Sequence, residues 1–243
     1  MKTLTFLMRT TKEIIRDPIN IFFGLGFPVI ILLILTAIQA NVPVPLFEIN
    51  KIAPGITVFG LSFITLFAST IISKDRETAF LQRLYTTPLT AFNFIFGYAA
   101  PLIPIAVVQG AVLYLIAVFL GLKITVNIIY SLFMIIPISI FYIALGLLCG
   151  SILNSKQVGG LCGALLTNVS AFMSGIWFDV ELVGGVFKKI AYALPFIHAT
   201  ELQKAIINSN YNNIAEHFAV VIIYTVLFLI LAVLAFLKQM KKQ

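Results

Sequence analysis

The sequence predicts an all-α integral membrane protein with six transmembrane helices, and two observations carry that prediction. Of its 243 residues, 60% are hydrophobic and only 10% are charged, whereas soluble domains carry roughly 25% charged residues. The apolar residues also run in uncharged stretches such as Leu84 to Leu122 and Ile124 to Ser155. About 20 apolar residues suffice to cross a hydrocarbon core roughly 30 Å thick. The whole chain, 1–243, reads as one transmembrane domain.

Residues 1–18 come first. From Thr3 to Arg16, Leu4, Leu7, Met8, Thr11, Ile14 and Ile15 recur at helical spacing, while Lys2, Arg9, Glu13 and Arg16 mark another face. This predicts an amphipathic helix on the membrane surface, its apolar face in lipid and its cations near anionic head groups. The uncharged run from Pro18 to Phe47 is too long for a cleaved signal core and lacks a clear small-residue cleavage site, so it reads as a retained first span. The spans are expected at 19–40, 52–73, 92–120, 126–153, 158–178 and 218–237.

Six spans place both termini on one side. The N-terminus, the Ser73–Ala91 loop, the Asn154–Gln157 loop and the C-terminal tail hold Lys2, Arg9, Lys12, Arg16, Lys74, Arg76, Arg83, Lys156, Lys238, Lys241 and Lys242. The opposite loops hold only Lys51, Lys123, Lys188, Lys189 and Lys204. An excess of Lys and Arg marks the cytoplasmic side, so both termini are expected there, in the plasma membrane. This topology also accounts for the net charge of +7 without invoking nucleic acid. The external segment, 179–217, contains apolar stretches interrupted by Gly184, Gly185 and Pro195, too short to span. Short helices in or on the outer leaflet are expected there.

Catalytic motifs are absent. There is no G-x-x-x-x-G-K-[ST] loop for nucleotide phosphates and no metal-spaced His or Cys cluster. His198 and His217 are 19 residues apart in sequence with no third ligand evident, and they read as surface or interfacial histidines. Cys149 and Cys162 read as buried thiols. The expected spans contain no Asp, Glu, Lys, Arg or His, although ion-coupled carriers commonly keep such groups to bind the coupling ion. Any transport energy is therefore expected from elsewhere, and no cofactor or metal is expected on this chain.

The strongest local signal is the loop between the second and third spans, SKDRETAFLQRLYTTPL, at 74–91 with its flanks. Asp75 to Tyr85 can form a short helix with Asp75 and Glu77 near its positive end and Arg83 near the other. Phe80, Leu81, Leu84 and Tyr85 would make an exposed apolar patch, and Pro88 ends the element. Such a helix suits a groove on a cytoplasmic partner; the alternative is a loop helix resting on lipid.

At these residues the chain resembles the permease subunits of ABC-2 type exporters, whose loop typically reads R-E-x-G-F-L-x-R-L-x-x-T-P-L. Arg76, Glu77, Phe80, Leu81, Arg83, Leu84, Thr87, Pro88 and Leu89 match; Ala79 replaces the usual glycine, and Tyr98 stands where a basic residue is common. Further on, Ser174-Gly-Ile-Trp-Phe178 and Leu194-Pro-Phe-Ile-His-Ala199 resemble the family's S-G-[IV]-x-F and L-P-L-x-H-A stretches. Asp179 departs there from the usual proline, and Lys204 stands where arginine is common. The resemblance implies a non-enzymatic half-transporter that pairs with a second permease chain, as a homodimer or with a close relative. Two copies of a separate ABC ATPase, carrying ATP and Mg, would dock below it. Arg76, Glu77, Phe80, Leu81, Arg83, Leu84 and Tyr85 would couple it to that motor. The substrate would be a hydrophobic or amphiphilic compound such as a drug, antimicrobial peptide, lipid or glycolipid.

Gln109, Asn168, Ser170 and Ser174 are the candidate pathway residues, and interhelical hydrogen bonding explains them equally well. Two other readings remain at this stage, a secondary carrier and a membrane scaffold of an envelope-assembly complex.

Overall fold

The computed structural model describes residues 2–42, 45–78 and 91–240, and among these the regular structure is entirely helical. An amphipathic helix, α1 (Lys2–Ile15), precedes a first membrane element made of α2 (Pro18–Ile21), a π-helical stretch (Phe22–Gly26) and α3 (Phe27–Asn41). Then come α4 (Ile49–Glu77), α5 (Ala91–Ala99), α6 (Leu102–Phe119) and α7 (Val126–Ile152). A second composite element follows: α8 (Ser155–Val158), a π-helical stretch (Gly159–Leu166) and α9 (Thr167–Met173). Three short helices, α10 (Val180–Val183), α11 (Gly185–Ala193) and α12 (Pro195–Ile207), lead into the last long one, α13 (Ile214–Met240).

Among the described residues, five helical stretches are long and apolar enough to cross a membrane: Phe22–Asn41, Ile49–Glu77, Ile95–Phe119, Val126–Ile152 and Ile214–Gln239. The chain is a multi-pass membrane protein. The stretch expected as a fifth span, 158–178, is different in kind. Its helical backbone runs from Ser155 to Met173 through the π segment, and Lys156, Gln157 and Asn168 make it less apolar than the others. The expected 92–120 span is interrupted at Ala100–Pro101, because proline disfavours helical geometry in the residue before it.

The 29-residue α4 is the axis of the bundle, buried at nearly every position from Ile52 to Ser73. It gets this close to its neighbours through glycines. A Cβ on Gly146 of α7 would lie 2.7 Å from the Thr65 carbonyl oxygen, and one on Gly150 would lie 2.8 Å from that of Ser69. Thr65 Oγ1 donates to the Tyr142 carbonyl across the same contact at 2.8 Å. On the other flank, Gly24 admits the Phe67 ring, while Phe23, Phe27, Phe59 and Phe63 interlock at 5.5–6.4 Å between ring centres. Phe141 meets Phe196 and Phe228, joining α7 to α12 and α13.

The two ends of the bundle are tied differently. At the end away from α1, Pro54 inside α4 has no N–H for the Asn50 carbonyl, and Asn208 Nδ2 reaches that oxygen at 3.3 Å. Asn50 Nδ2 donates in return to Asn208 Oδ1 at 2.8 Å. One layer deeper, Tyr114, Ser131 and Gln203 form a buried polar node. The Tyr114 hydroxyl lies 2.6 Å from that of Ser131 and donates to Gln203 Oε1 at 3.0 Å. Gln203 Nε2 donates to the Ser131 carbonyl at 3.1 Å.

The glycine contacts yield a test. Gly146→Ala places a methyl group against backbone and should destabilise the chain by about 1–3 kcal/mol, the usual cost of overpacking. Gly160→Ala, where a Cβ meets nothing within 4 Å, should not destabilise the chain and should raise stability by up to about 1 kcal/mol, since alanine is the better helix former. Thermal unfolding of the two variants in detergent, side by side, checks the difference.

Candidate coupling site

α1 has three faces. Leu4, Met8 and Ile15 are exposed and lie on one stripe, and Lys12 and Arg16 flank it. The exposed stripe is part of the one expected to face lipid. Phe6, Thr10 and Ile14 form a separate buried face that packs on the protein. Ile14, grouped in sequence with the lipid stripe, therefore belongs to the protein side. Phe6 meets Tyr98 of α5 edge to face at 4.8 Å, and Gly97 has no side chain because the Phe6 ring occupies the space a Cβ would need.

Between these faces Arg9 reaches Asp75, near the end of α4. Arg9 Nη2 donates to Asp75 Oδ1 at 2.7 Å, and Nη1 donates to Oδ2. The Tyr98 hydroxyl also donates to Oδ2, at 2.6 Å. Glu13, one turn along α1, pairs with Arg9 at 2.8 Å; burial pushes its carboxyl above the ordinary range, with Arg9 pulling the other way. Asp75 is only 3% exposed. A carboxylate at that position faces two costs, desolvation and the negative end of its own helix dipole. The bidentate guanidinium and the phenol offset both. The three helices α1, α4 and α5 thus meet on one carboxylate.

The next two residues turn the other way. Arg76 Nη1 donates to the carbonyls of Gly150 at 2.7 Å and Leu153 at 3.2 Å, satisfying acceptors at the end of α7 that have no intrahelical donor. Glu77 accepts from Ser155, from its backbone N–H at 2.8 Å and its hydroxyl at 2.7 Å, at the start of α8. Asn154 and Gln157 complete a capping box there.

These contacts correct one expectation. Asp75, Arg76 and Glu77 do not begin a separate short helix; they are the last turn of α4, with Thr78 extended after them. The end of α4 is held there by partners on α1, α5, α7 and α8. Phe80, Leu81, Arg83, Leu84 and Tyr85 lie outside the described residues. The described flanks of that segment, Thr78 and α5, both lie next to the Asp75 network.

The candidate pathway residues have separate surroundings. Ser170 pairs with the Tyr142 hydroxyl at 3.0 Å, and Ser174 donates to the Ala171 carbonyl at 3.0 Å. Asn168 is exposed and donates back to the Ala164 carbonyl at 2.7 Å. Gln109 is buried beside Gly60 and Pro28, and neither its amide nitrogen nor its oxygen has a partner. Ser170 and Ser174 therefore serve as helix contacts. Of the four, Gln109 is the one whose buried amide nitrogen and oxygen are both without a partner.

The model of the ABC-2 type transporter family matches residues 1–208. The chain belongs to that family. No curated protein matches it. As an ABC-2 transporter membrane subunit it is a transport component and not itself catalytic. The matched stretch runs from α1 through α12, and so contains both the Asp75 network and the Arg76–Glu77 clamp. Sequence reading missed Arg9, Tyr98 and Ser155 as partners. A signal for the first was present, since an acidic residue in the last turn of a long helix requires a nearby cation.

Arg9→Ala leaves Asp75 buried with only Tyr98, and should cost about 1.5–3 kcal/mol, the worth of hydrogen bonds to a charged group. Water around Arg9, whose side chain is 35% exposed, keeps the cost toward the lower figure. The double variant, Arg9→Ala with Asp75→Asn, should cost less than the sum of the two single changes. A double-mutant cycle, read in a cysteine-free background by maleimide labelling of Cys at position 14 on the packed face of α1, measures the coupling.

Proposed function

We propose that the chain is the permease subunit of an ATP-driven exporter. A separate ATP-binding partner, in two copies with ATP and Mg, would power the movement of a hydrophobic or amphiphilic substrate out across the plasma membrane. Two permease chains pair, the helical element from Ser155 to Met173 serves as the fifth of six spans, and the end bearing α1 is cytoplasmic. The orientation rests on the positive charge concentrated at that end.

The observation that carries the reading is the mounting of residues 78–90. On one side of this segment Asp75 is locked to α1 and α5, and Arg76 and Glu77 hold the ends of α7 and α8. A force applied by a motor to Phe80, Leu81, Arg83, Leu84 and Tyr85 would reach α1 and both sides of the bundle through short, strong contacts. In this arrangement Arg76 and Glu77 transmit, and the apolar residues after them make contact with the ATPase.

Replacing Phe80 and Leu84 together with Asp should abolish retention of the ATPase, or uncouple its hydrolysis from transport, in a chain that still inserts. Pull-down and transport assays run together, with fractionation as the control, read the outcome. Wild-type docking and transport in the double variant would show the segment to be an ordinary loop. The orientation has its own check. In a cysteine-free background, Cys at position 210 should react with an impermeant maleimide in intact cells, and Cys at position 241 should not.

A further inference from the structure

His198 and His217 take no part in the coupling described above. His198 stands on α12 and is 4% exposed; His217 stands in the first turn of α13 and is half-buried. Their Nδ1 atoms are 2.8 Å apart, and His198 Nε2 lies 2.9 Å from the Tyr192 carbonyl oxygen. A carbonyl only accepts, so Nε2 of His198 carries the proton and its Nδ1 presents a lone pair. His217 Nδ1–H then donates to that lone pair. Sequence reading weighed a metal site on this pair and preferred surface or interfacial histidines; the fold instead buries His198 and brings the two into contact.

We propose that His198 and His217 form a two-histidine chelate for a transition-metal dication of the kind imidazole prefers, such as Zn²⁺, Ni²⁺ or Cu²⁺. The bite fits. In the right-angled coordination of Cu²⁺ and Ni²⁺, bonds of about 2.0–2.1 Å hold two imidazole nitrogens about 2.9 Å apart, and a tetrahedral Zn²⁺ asks for about 3.3 Å. The orientation of His198 fits as well, because a ligating imidazole usually donates its other N–H to a carbonyl or carboxylate. The ion takes the place of the His217 proton on the His198 lone pair, so the half-buried His217 must swing back until its own Nδ1 lone pair meets the ion, its proton moving to Nε2 or to solvent. His217 also lines a cavity of about 740 Å³ with Glu201 and Asn213, from which water completes the coordination. Among the described residues no third His, Cys, Asp or Glu converges on the pair. The ion is therefore held reversibly, as a clamp between α12 and α13, and is not a structural centre.

The two are the only histidines in the chain, which makes the test clean when a non-histidine affinity tag is used. The full chain in detergent, stripped with EDTA, is titrated with Zn²⁺, Ni²⁺ and Mg²⁺ while its unfolding midpoint is followed. Zn²⁺ and Ni²⁺ should raise the midpoint saturably and reversibly, and Mg²⁺, which prefers oxygen ligands, should not. His217→Gln, whose amide can still donate to His198 Nδ1, should keep the metal-free midpoint and lose the shift. Zn²⁺ should also protect the wild-type histidines from acylation by diethyl pyrocarbonate, a readout that needs no variant. A shift of undiminished size in His217→Gln, or acylation at the same rate with and without Zn²⁺, would overturn the proposal.

Discussion

The carboxylate of Asp75 is the constraint on which the α1 end of this molecule depends. It sits in the last turn of the most buried helix of the bundle, where desolvation and the helix dipole both oppose its charge. An ionised group can stay there only if a cation is delivered to it. Arg9 is that cation, and it can arrive only if α1 packs on α5 beside the end of α4. The Phe6–Tyr98 contact, the absent side chain at Gly97 and the Tyr98 hydroxyl all follow from that requirement. An amphipathic helix that could have floated on lipid is instead given a fixed position by one buried charge. Its exposed stripe of Leu4, Met8 and Ile15 remains free for the membrane.

Much of this architecture was legible in the sequence, because hydropathy and length act over whole segments. The long uncharged runs marked the membrane helices, and the basic loops marked one end. What could not be read was pairing across large separations in sequence. Arg9 and Asp75 are 66 residues apart, and Glu77 and Ser155 are 78 apart. No local pattern ties either pair together. The same limit explains the misassigned start of the loop helix. The charges at Asp75 and Glu77 look like N-terminal acids when taken locally, and become the C-terminal turn of α4 once their partners are seen. For the pathway residues, sequence supplied polarity without satisfaction. Ser170 and Ser174 are spoken for, while Gln203, in a segment expected to be external, belongs to a buried polar node with Tyr114 and Ser131.

The distribution of polar contacts along α4 determines how it can move. Its middle is held by ring packing and by the backbone approach of Gly146 and Gly150, contacts with little room to slide. Its last turn is held by ion pairs and by carbonyl contacts to α7. α4 and α7 should therefore move as one body, since bending either would separate a glycine from the carbonyl it touches.

Near the other end of α4, the ladder of helical hydrogen bonds is already interrupted at Pro54. The freed Asn50 carbonyl is taken by Asn208, at the end of α12, across an exposed contact. That bond is replaceable by water at modest cost, unlike the buried contacts at Asp75. A displacement entering at the α1 end would therefore pass along a stiff α4–α7 pair and meet its least resistance at Pro54. The helix that answers there is α12, which Asn208 terminates and which carries Gln203 and His198. Stiffness in the middle and compliance at one proline place the yielding joint at the end remote from the Asp75 network.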